Sequence, residues 1–263
     1  PGYYRIGSRR IHCWNRAGHG SLDLRQAIEC SCNTYFIAAG QRIGLDRIGP
    51  MMRAVGLGRS PAIDLPGGGG AGLVPSRPWA REAYSREWLS IDTAFLSIGQ
   101  GAVNLSPLQA ACYVCCIANG GRLMRPYLVE KVMDRNGNIL SRTVPQIRQR
   151  LSVDPEHLAL VMEGMELVVN GPSATARNAA NSAVSVAGKT GTAEVGSGPS
   201  RYKNAWFIGF APVDAPEYGV AVLVEDGVGG GRTAAPIAGA LFERWLGTRE
   251  VALGAAETTS PAR

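Results

Sequence analysis

The sequence predicts an α+β fold, an antiparallel sheet with helices on its faces. Three observations predict it: helical periodicity dominates the first two-thirds, three strand-like runs then follow with short links, and a final helical stretch closes the chain. Strands joined by short links pair antiparallel, whereas a doubly wound sheet would need a crossover helix between them. The division is one domain over 1–250, with a helical region at 21–170, strands at about 185–226 and a helix at about 235–246, then a frayed tail at 251–263.

Taken in order, Ser21 is expected to cap a short helix ending near Glu29, with Leu24, Ala27 and Ile28 on one side. After Cys30-Ser31-Cys32-Asn33 the helical period resumes at Phe36, Ala39 and Ile43 until Gly44, and 45–55 reads as a third helix. The stretch 56–100 holds a glycine run at 67–70 with Pro66, Pro75 and Pro78, and reads as a long loop with a short strand at 63–65. Ser106, Pro107 and Gln109 spell the start of a buried helix that Asn119-Gly120-Gly121 stops. Alternation over 124–133 predicts a strand and Asn136-Gly137 a hairpin. Asp154-Pro155 opens an amphipathic helix striped by Leu158, Val161, Met162, Met165 and Val168, and Asn170-Gly171-Pro172 ends it. The three strands are expected at 185–194, 205–211 and 218–225.

Composition removes several function classes. Apolar residues at 45% and charged residues at 18% exclude a disordered chain. The longest apolar run, 110–118, is half the ~20 residues a membrane span needs. The formal charge of +6 is spread over scattered arginines without aromatic interleaving, which argues against nucleic acid. Six cysteines fall in two groups, Cys13, Cys30 and Cys32, then Cys112, Cys115 and Cys116, too few for a disulfide scaffold. The second group lies within the buried helix, where Cys112-x-x-Cys115 reads as packing rather than a redox pair.

Chemistry concentrates in two motifs. Gly188-Lys189-Thr190 invites a phosphate-loop reading, but Ala183 stands where that loop needs its first glycine, and the following residues are strand-like. Read instead as a strand edge, Lys189-Thr190-Gly191-Thr192 offers a fixed cation and two hydroxyls two residues apart. Gly191 has no Cβ there, so an extended peptide can lie close along the edge. Such an edge suits a peptide ending in a carboxylate. Far upstream, Ser31-Cys32-Asn33 places a hydroxyl and an amide at i and i+2, which an extended link would aim into one cleft. The alternative is that Ser31 and Asn33 merely cap the next helix.

Together these motifs resemble the transpeptidase domain of class B penicillin-binding proteins, most nearly the elongation type. The resemblance extends over Cys13-Trp14, the run from Gly18-His19-Gly20 to Asn33, Ser97-Ile98-Gly99-Gln100-Gly101, Ser106-Pro107-Leu108-Gln109, Lys189-Thr190-Gly191-Thr192 and the stretch 205–212, in family order. It implies a sheet flanked by helices plus an all-helical subdomain. The implied reaction is serine acyl transfer on stem peptides ending in D-alanyl-D-alanine, cross-linking peptidoglycan, with β-lactams as mimics. Ser31 and Lys189 would then pass protons, Asn33 would hold a substrate carbonyl, and Thr190, Gly191 and Thr192 would bind the terminal carboxylate and supply an oxyanion donor. The family's nucleophile motif, Ser-x-x-Lys, is absent ahead of Ser31. The literal match Ser200-Arg201-Tyr202-Lys203 follows the lysine motif, between strands, so the nucleophile is expected upstream of Pro1 and this chain alone is expected to be inactive. The resemblance further implies a parent anchored in the inner membrane with this domain in the periplasm, and as partners a membrane glycosyltransferase and shape-complex proteins. A division-type homologue and, in another class, a non-catalytic β-lactam-binding sensor stay open.

Cys13, His19 and Cys32, with five and twelve residues between them, offer two thiolates and an imidazole, donors that suit Zn²⁺. The resemblance implies ligand-type residues at corresponding points, and with them a structural zinc with a fourth ligand upstream; catalysis itself needs no cofactor. A disulfide between Cys13 and Cys30, or plain packing, are the alternatives.

Overall fold

The computed structural model describes residues 1–196 and 198–247, so the expected tail lies outside the described residues. The fold is α+β and forms two compact units. One combines residues 1–21 with 32–158, and the other 22–31 with the chain from Ala159 onward.

The first unit opens with a hairpin of β1 (Tyr3–Ile6) and β2 (Arg9–His12), antiparallel with Tyr3 opposite His12. The second unit receives α1 (Leu24–Glu29). Its cap is Asp23 rather than Ser21, because Asp23 and Gln26 satisfy each other's main-chain N–H reciprocally, which one serine hydroxyl cannot do. Back in the first unit come α2 (Asn33–Ile43), closed by Gly44, and α3 (Leu45–Ala54).

The expected loop over 56–100 contains two helices, α4 (Arg77–Tyr84) and α5 (Ser90–Leu96). The proline that suggested a breaker, Pro78, sits in the first turn of α4, where an N–H has no helical partner to lose; Ser76 caps that turn. Residues 63–65 form no strand. Leu65 turns back to accept from Gly68, and the Asp64 carboxylate takes the N–H groups of Leu128 and Val129. The helix α6 (Pro107–Ala118) has the full capping box of Ser106 and Gln109. Gln109 also donates from its buried amide to Arg59 O and Ala71 O, fixing the loop beside it. Cys116 is buried and Cys112 half-buried, and burial raises both thiols, Cys116 to about 11, so neither is a ready thiolate.

The alternation over 124–133 resolves into two short strands, β3 (Arg122–Met124) and β4 (Lys131–Met133), because Pro126 interrupts the ladder. β4 pairs with β5 (Ile139–Arg142) across the Asn136-Gly137 turn, and β3 with β6 (Ile147–Arg150).

In the second unit α7 (Pro155–Asn170), whose first residues belong to the other unit, buries Met165, Val168 and Val169. β7 (Ala187–Val195), β8 (Tyr202–Ala211) and β9 (Tyr218–Val224) form an antiparallel sheet in that order, with β7 at one edge. Phe207 and Phe210 of β8 are fully buried, as is Phe242 of α8 (Ala235–Phe242), which packs on β8 and β9. Each buried phenylalanine contributes ~1.5–3 kcal/mol relative to exposure. A π-helical turn, Glu243–Gly247, follows α8, so the regular helix ends before the expected 246. Among the described residues no helix is long and apolar enough to cross a membrane.

Candidate active site

Ser31 follows α1 directly and is held by how α1 is seated. Gly164 of α7 has no Cβ, and one added there would lie 2.9 Å from Ile28 Cδ1, so α1 rests directly on the backbone of α7. Arg25 bridges Asp23 and Glu163 across the same contact. Ser31 has φ +53°, a left-handed conformation that costs a non-glycine residue ~1–2 kcal/mol. The chain therefore turns sharply at Ser31 instead of running extended into Asn33. Neither residue caps α2: its cap position is Cys32, without a side-chain hydrogen bond, and Asn33 is its first helical residue. Asn33 Nδ2 donates to His12 O at 3.4 Å.

Lys189 projects from β7 and donates to Ser31 Oγ, 158 residues away in sequence, and to Thr190 O at 3.0 Å. Burial pushes its ammonium down from 10.5 to about 8, with Cys30 pulling weakly the other way. A lysine poised there exchanges its proton near neutral pH, and its neighbour Ser31 is a hydroxyl that can accept and pass one on.

Thr190 and Thr192 lie on β7 opposite Phe207 and Ala205. They enter a pocket of about 410 Å³ with Thr175, Arg177, Asn178 and the turn 228–232. Thr190 Oγ1 bonds Thr175 Oγ1 at 3.3 Å, and Gly230 N–H donates to Thr192 Oγ1 at 3.3 Å. Gly191 faces Trp206 closely, its hypothetical Cβ 3.2 Å from Trp206 Cβ. A Cβ on Gly230 would sit 2.3 Å from Trp206 O and 2.6 Å from Gly191 O, so the turn lies flat on the sheet backbone only because it is glycine. Thr175, Arg177 and the 228–232 turn were not singled out from sequence. The run Gly229-Gly230-Gly231 just after a strand was the available signal, since it marks close backbone approach.

In the first unit, Cys13, His19 and Cys32 present donor atoms that all lie within 4.8 Å of one another. Cys13 Sγ is 3.7 Å from His19 Nδ1, close to the roughly 3.6 Å that tetrahedral Zn–S and Zn–N bonds would set. His19 Nε2 is buried without a hydrogen-bond partner, and burial lowers the pKa of the ring, favouring the neutral imidazole that ligates metals. Neither Cys13 nor Cys30 is in a disulfide, so that alternative is not formed. His157, in the first turn of α7, and Ser200, in a short 3-10 turn before β8, stand outside both clusters.

An edge strand thus sets a buried lysine on a serine that follows a helix cap, with two threonines in an adjoining pocket. The model of the penicillin-binding protein transpeptidase domain matches residues 1–243, and the chain belongs to that family. It is 33% identical over 264 residues to the peptidoglycan D,D-transpeptidase MrdA of Acinetobacter baumannii, covering 95% of this chain and 38% of that protein. It thus spans well under half the length of that relative. Among solved structures, penicillin-binding protein 2 of Pseudomonas aeruginosa in complex with WCK 5153 superposes with TM-score 0.82 at 36% identity, covering 94% of this chain and 54% of the other. The complex of penicillin-binding protein 2 with MreC from Helicobacter pylori gives TM-score 0.79 at 29% identity, over 93% and 44%.

Proposed function

We propose that this chain is the C-terminal part of an elongation-type peptidoglycan D,D-transpeptidase, and that the contact of Lys189 Nζ with Ser31 Oγ is its proton-transfer pair. That contact carries the reading, because it joins Ser31 of the first motif to Lys189 of the second within one unit. A serine outside this chain gives its proton to the lysine of its own Ser-x-x-Lys motif and attacks the penultimate carbonyl of a stem peptide ending in D-alanyl-D-alanine. The peptide bond breaks, and Ser31, backed by Lys189, delivers a proton to the departing D-alanine amine. An amine of a neighbouring stem then attacks the ester, its proton leaves by the same route, and the cross-link forms. Asn33 holds a substrate amide carbonyl. Thr190 and Thr192 receive the terminal carboxylate, Gly191 lets the peptide lie along β7, and the Thr192 N–H faces the oxyanion, a donor worth ~3–4 kcal/mol in other enzymes. β-Lactams enter the same site and stay attached as acyl-enzymes. The parent is anchored in the inner membrane with this domain in the periplasm, and works with a glycan-polymerising membrane protein and a shape-complex scaffold; the MreC complex of the H. pylori relative supports the latter.

Cys13, His19 and Cys32 would hold a structural zinc ion, with the fourth position filled by a donor these three do not supply. The ion would supply a cross-link between the 13–19 segment and the start of α2, not a step of the reaction. The spacing of the donor atoms and the neutral imidazole that burial favours support this.

The full-length protein tests the function. Fluorescent penicillin labels it covalently and the K189M variant labels far more slowly; unlabelled wild type, or a K189M variant labelled at the wild-type rate, contradicts the assignment.

A further inference from the structure

Glu29 is a buried carboxylate, 5% exposed, that the acyl-transfer chemistry does not use. No lysine or arginine pairs with it among the described residues. Its carboxylate instead accepts the main-chain N–H of Ser173 at 2.6 Å. Gly171 lies so close that a Cβ on it would fall 2.3 Å from Glu29 Oε1. The main-chain oxygen of Glu29 accepts the Thr175 hydroxyl at 3.1 Å. Glu29 therefore grips the 171–175 segment at two points, and that segment supplies Thr175 to the wall of the pocket.

Hydrogen-bond polarity adds a consequence. A carbonyl oxygen can only accept, so the single proton of Thr175 is committed to Glu29 O. In the bond between the two threonine hydroxyls Thr190 is then the donor, and it must turn from Thr175 to donate to a carboxylate. Glu29 stands two residues before Ser31 and so links the seat of that serine to the wall of the carboxylate pocket. A neutral apolar residue at 29 would leave the Ser173 N–H without its acceptor and free the loop.

We propose that Glu29 is a positioning residue that sets selectivity for a carboxylate-bearing ligand, by holding the 171–175 segment to which the pocket-wall cation Arg177 is hydrogen-bonded through Gly171 O. This rests on the proposed acyl-transfer function, and it predicts a change in discrimination rather than a general loss. The measurement is the second-order acylation rate constant of the full-length protein with benzylpenicillin and with its methyl ester, which differs only in lacking the free carboxylate. Wild type is expected to prefer the acid. E29A is expected to lose at least ten-fold in that preference, chiefly through slower reaction with the acid, while the ester rate changes less than three-fold. E29Q, whose amide oxygen still accepts from Ser173, is expected to restore the preference to within three-fold. G171A, whose Cβ would fall 2.3 Å from Glu29 Oε1 and displace that carboxylate, is expected to lower it as E29A does, and serves should E29A fail to fold. Equal loss for acid and ester in E29A and G171A, or an unchanged preference in both, overturns the proposal. Wild type that reacts with neither compound contradicts the underlying function instead, so the two failures are distinct.

Discussion

Ser31 and Cys32 are neighbours in sequence, yet they belong to different units and to clusters of opposite character. On one side Ser31 and Lys189 satisfy each other, and the lysine's remaining contact is a main-chain carbonyl. On the other, Cys13, His19 and Cys32 bring donor atoms together while His19 Nε2 stays buried without a partner. Protein atoms complete the first cluster, which suits proton movement between its own members. The second gathers two thiols and an imidazole within 4.8 Å of one another, a donor set that suits holding something that is not polypeptide. Burial shifts both basic groups in the same direction, lysine toward the neutral amine and histidine toward the neutral imidazole, but the consequences differ.

The largest expected effect separates activity from stability at the first cluster. K189M should lower the acylation rate constant on the order of 10³-fold, the usual scale for losing a proton-transfer group. Its folded stability at pH 7 should not fall and should rise by as much as roughly 3 kcal/mol, since the buried ammonium is held near 8 rather than 10.5. The sign follows from linkage. The folded-state value lies below the unfolded one, so the cost is fully present below pH 8 and disappears as pH rises from about 8 to 10.5. Denaturant midpoints of wild type and K189M should converge across that window; a constant gap would mean the lysine is not desolvated.

At the second cluster the metal is the lever. Full-length protein purified without chelator should contain zinc near one equivalent by elemental analysis, and C13S should contain far less. At free zinc a hundred times the dissociation constant, the wild-type unfolding free energy should exceed that of C13S by ~2.7 kcal/mol, a difference a chelator removes. C13S with full zinc content would exclude this ligand set.

G230A comes next. Its Cβ would press on Trp206 O and Gly191 O, so overpacking should cost ~1–3 kcal/mol in a thermal or denaturant melt. A melt unchanged from wild type would mean the turn does not lie on the sheet as described. R25A should do least. Its partners are exposed, and the melt should be almost unchanged from wild type. A larger loss would show that the Arg25 bridge, and not the Ile28–Gly164 contact, seats α1.

Much of this was legible in the amino-acid order, and the remainder was hidden for identifiable reasons. Lys189, Thr190 and Thr192 announce themselves because a strand edge with a cation and alternating hydroxyls is an unusual pattern, and the capping box of α6 is written in Ser106 and Gln109. The cysteine–histidine set was visible from donor chemistry. Glu29 was not, because its partners are the main-chain N–H of Ser173 and the Thr175 hydroxyl, and a main-chain donor leaves no trace in residue type. The helices α4 and α5 were masked by Pro78 and the nearby glycines, although proline in a first turn favours a helix. The extended link imagined between Ser31 and Asn33 failed because a left-handed serine is rare enough that sequence alone would not suggest it.

The most direct test maps the acylated residue. Full-length protein treated with benzylpenicillin, digested and read by tandem mass spectrometry should carry the penicilloyl group on a serine outside residues 1–263, with Ser31 and Ser200 unmodified. A penicilloyl group on Ser31 would make that residue the nucleophile and contradict its role as the proton carrier beside Lys189.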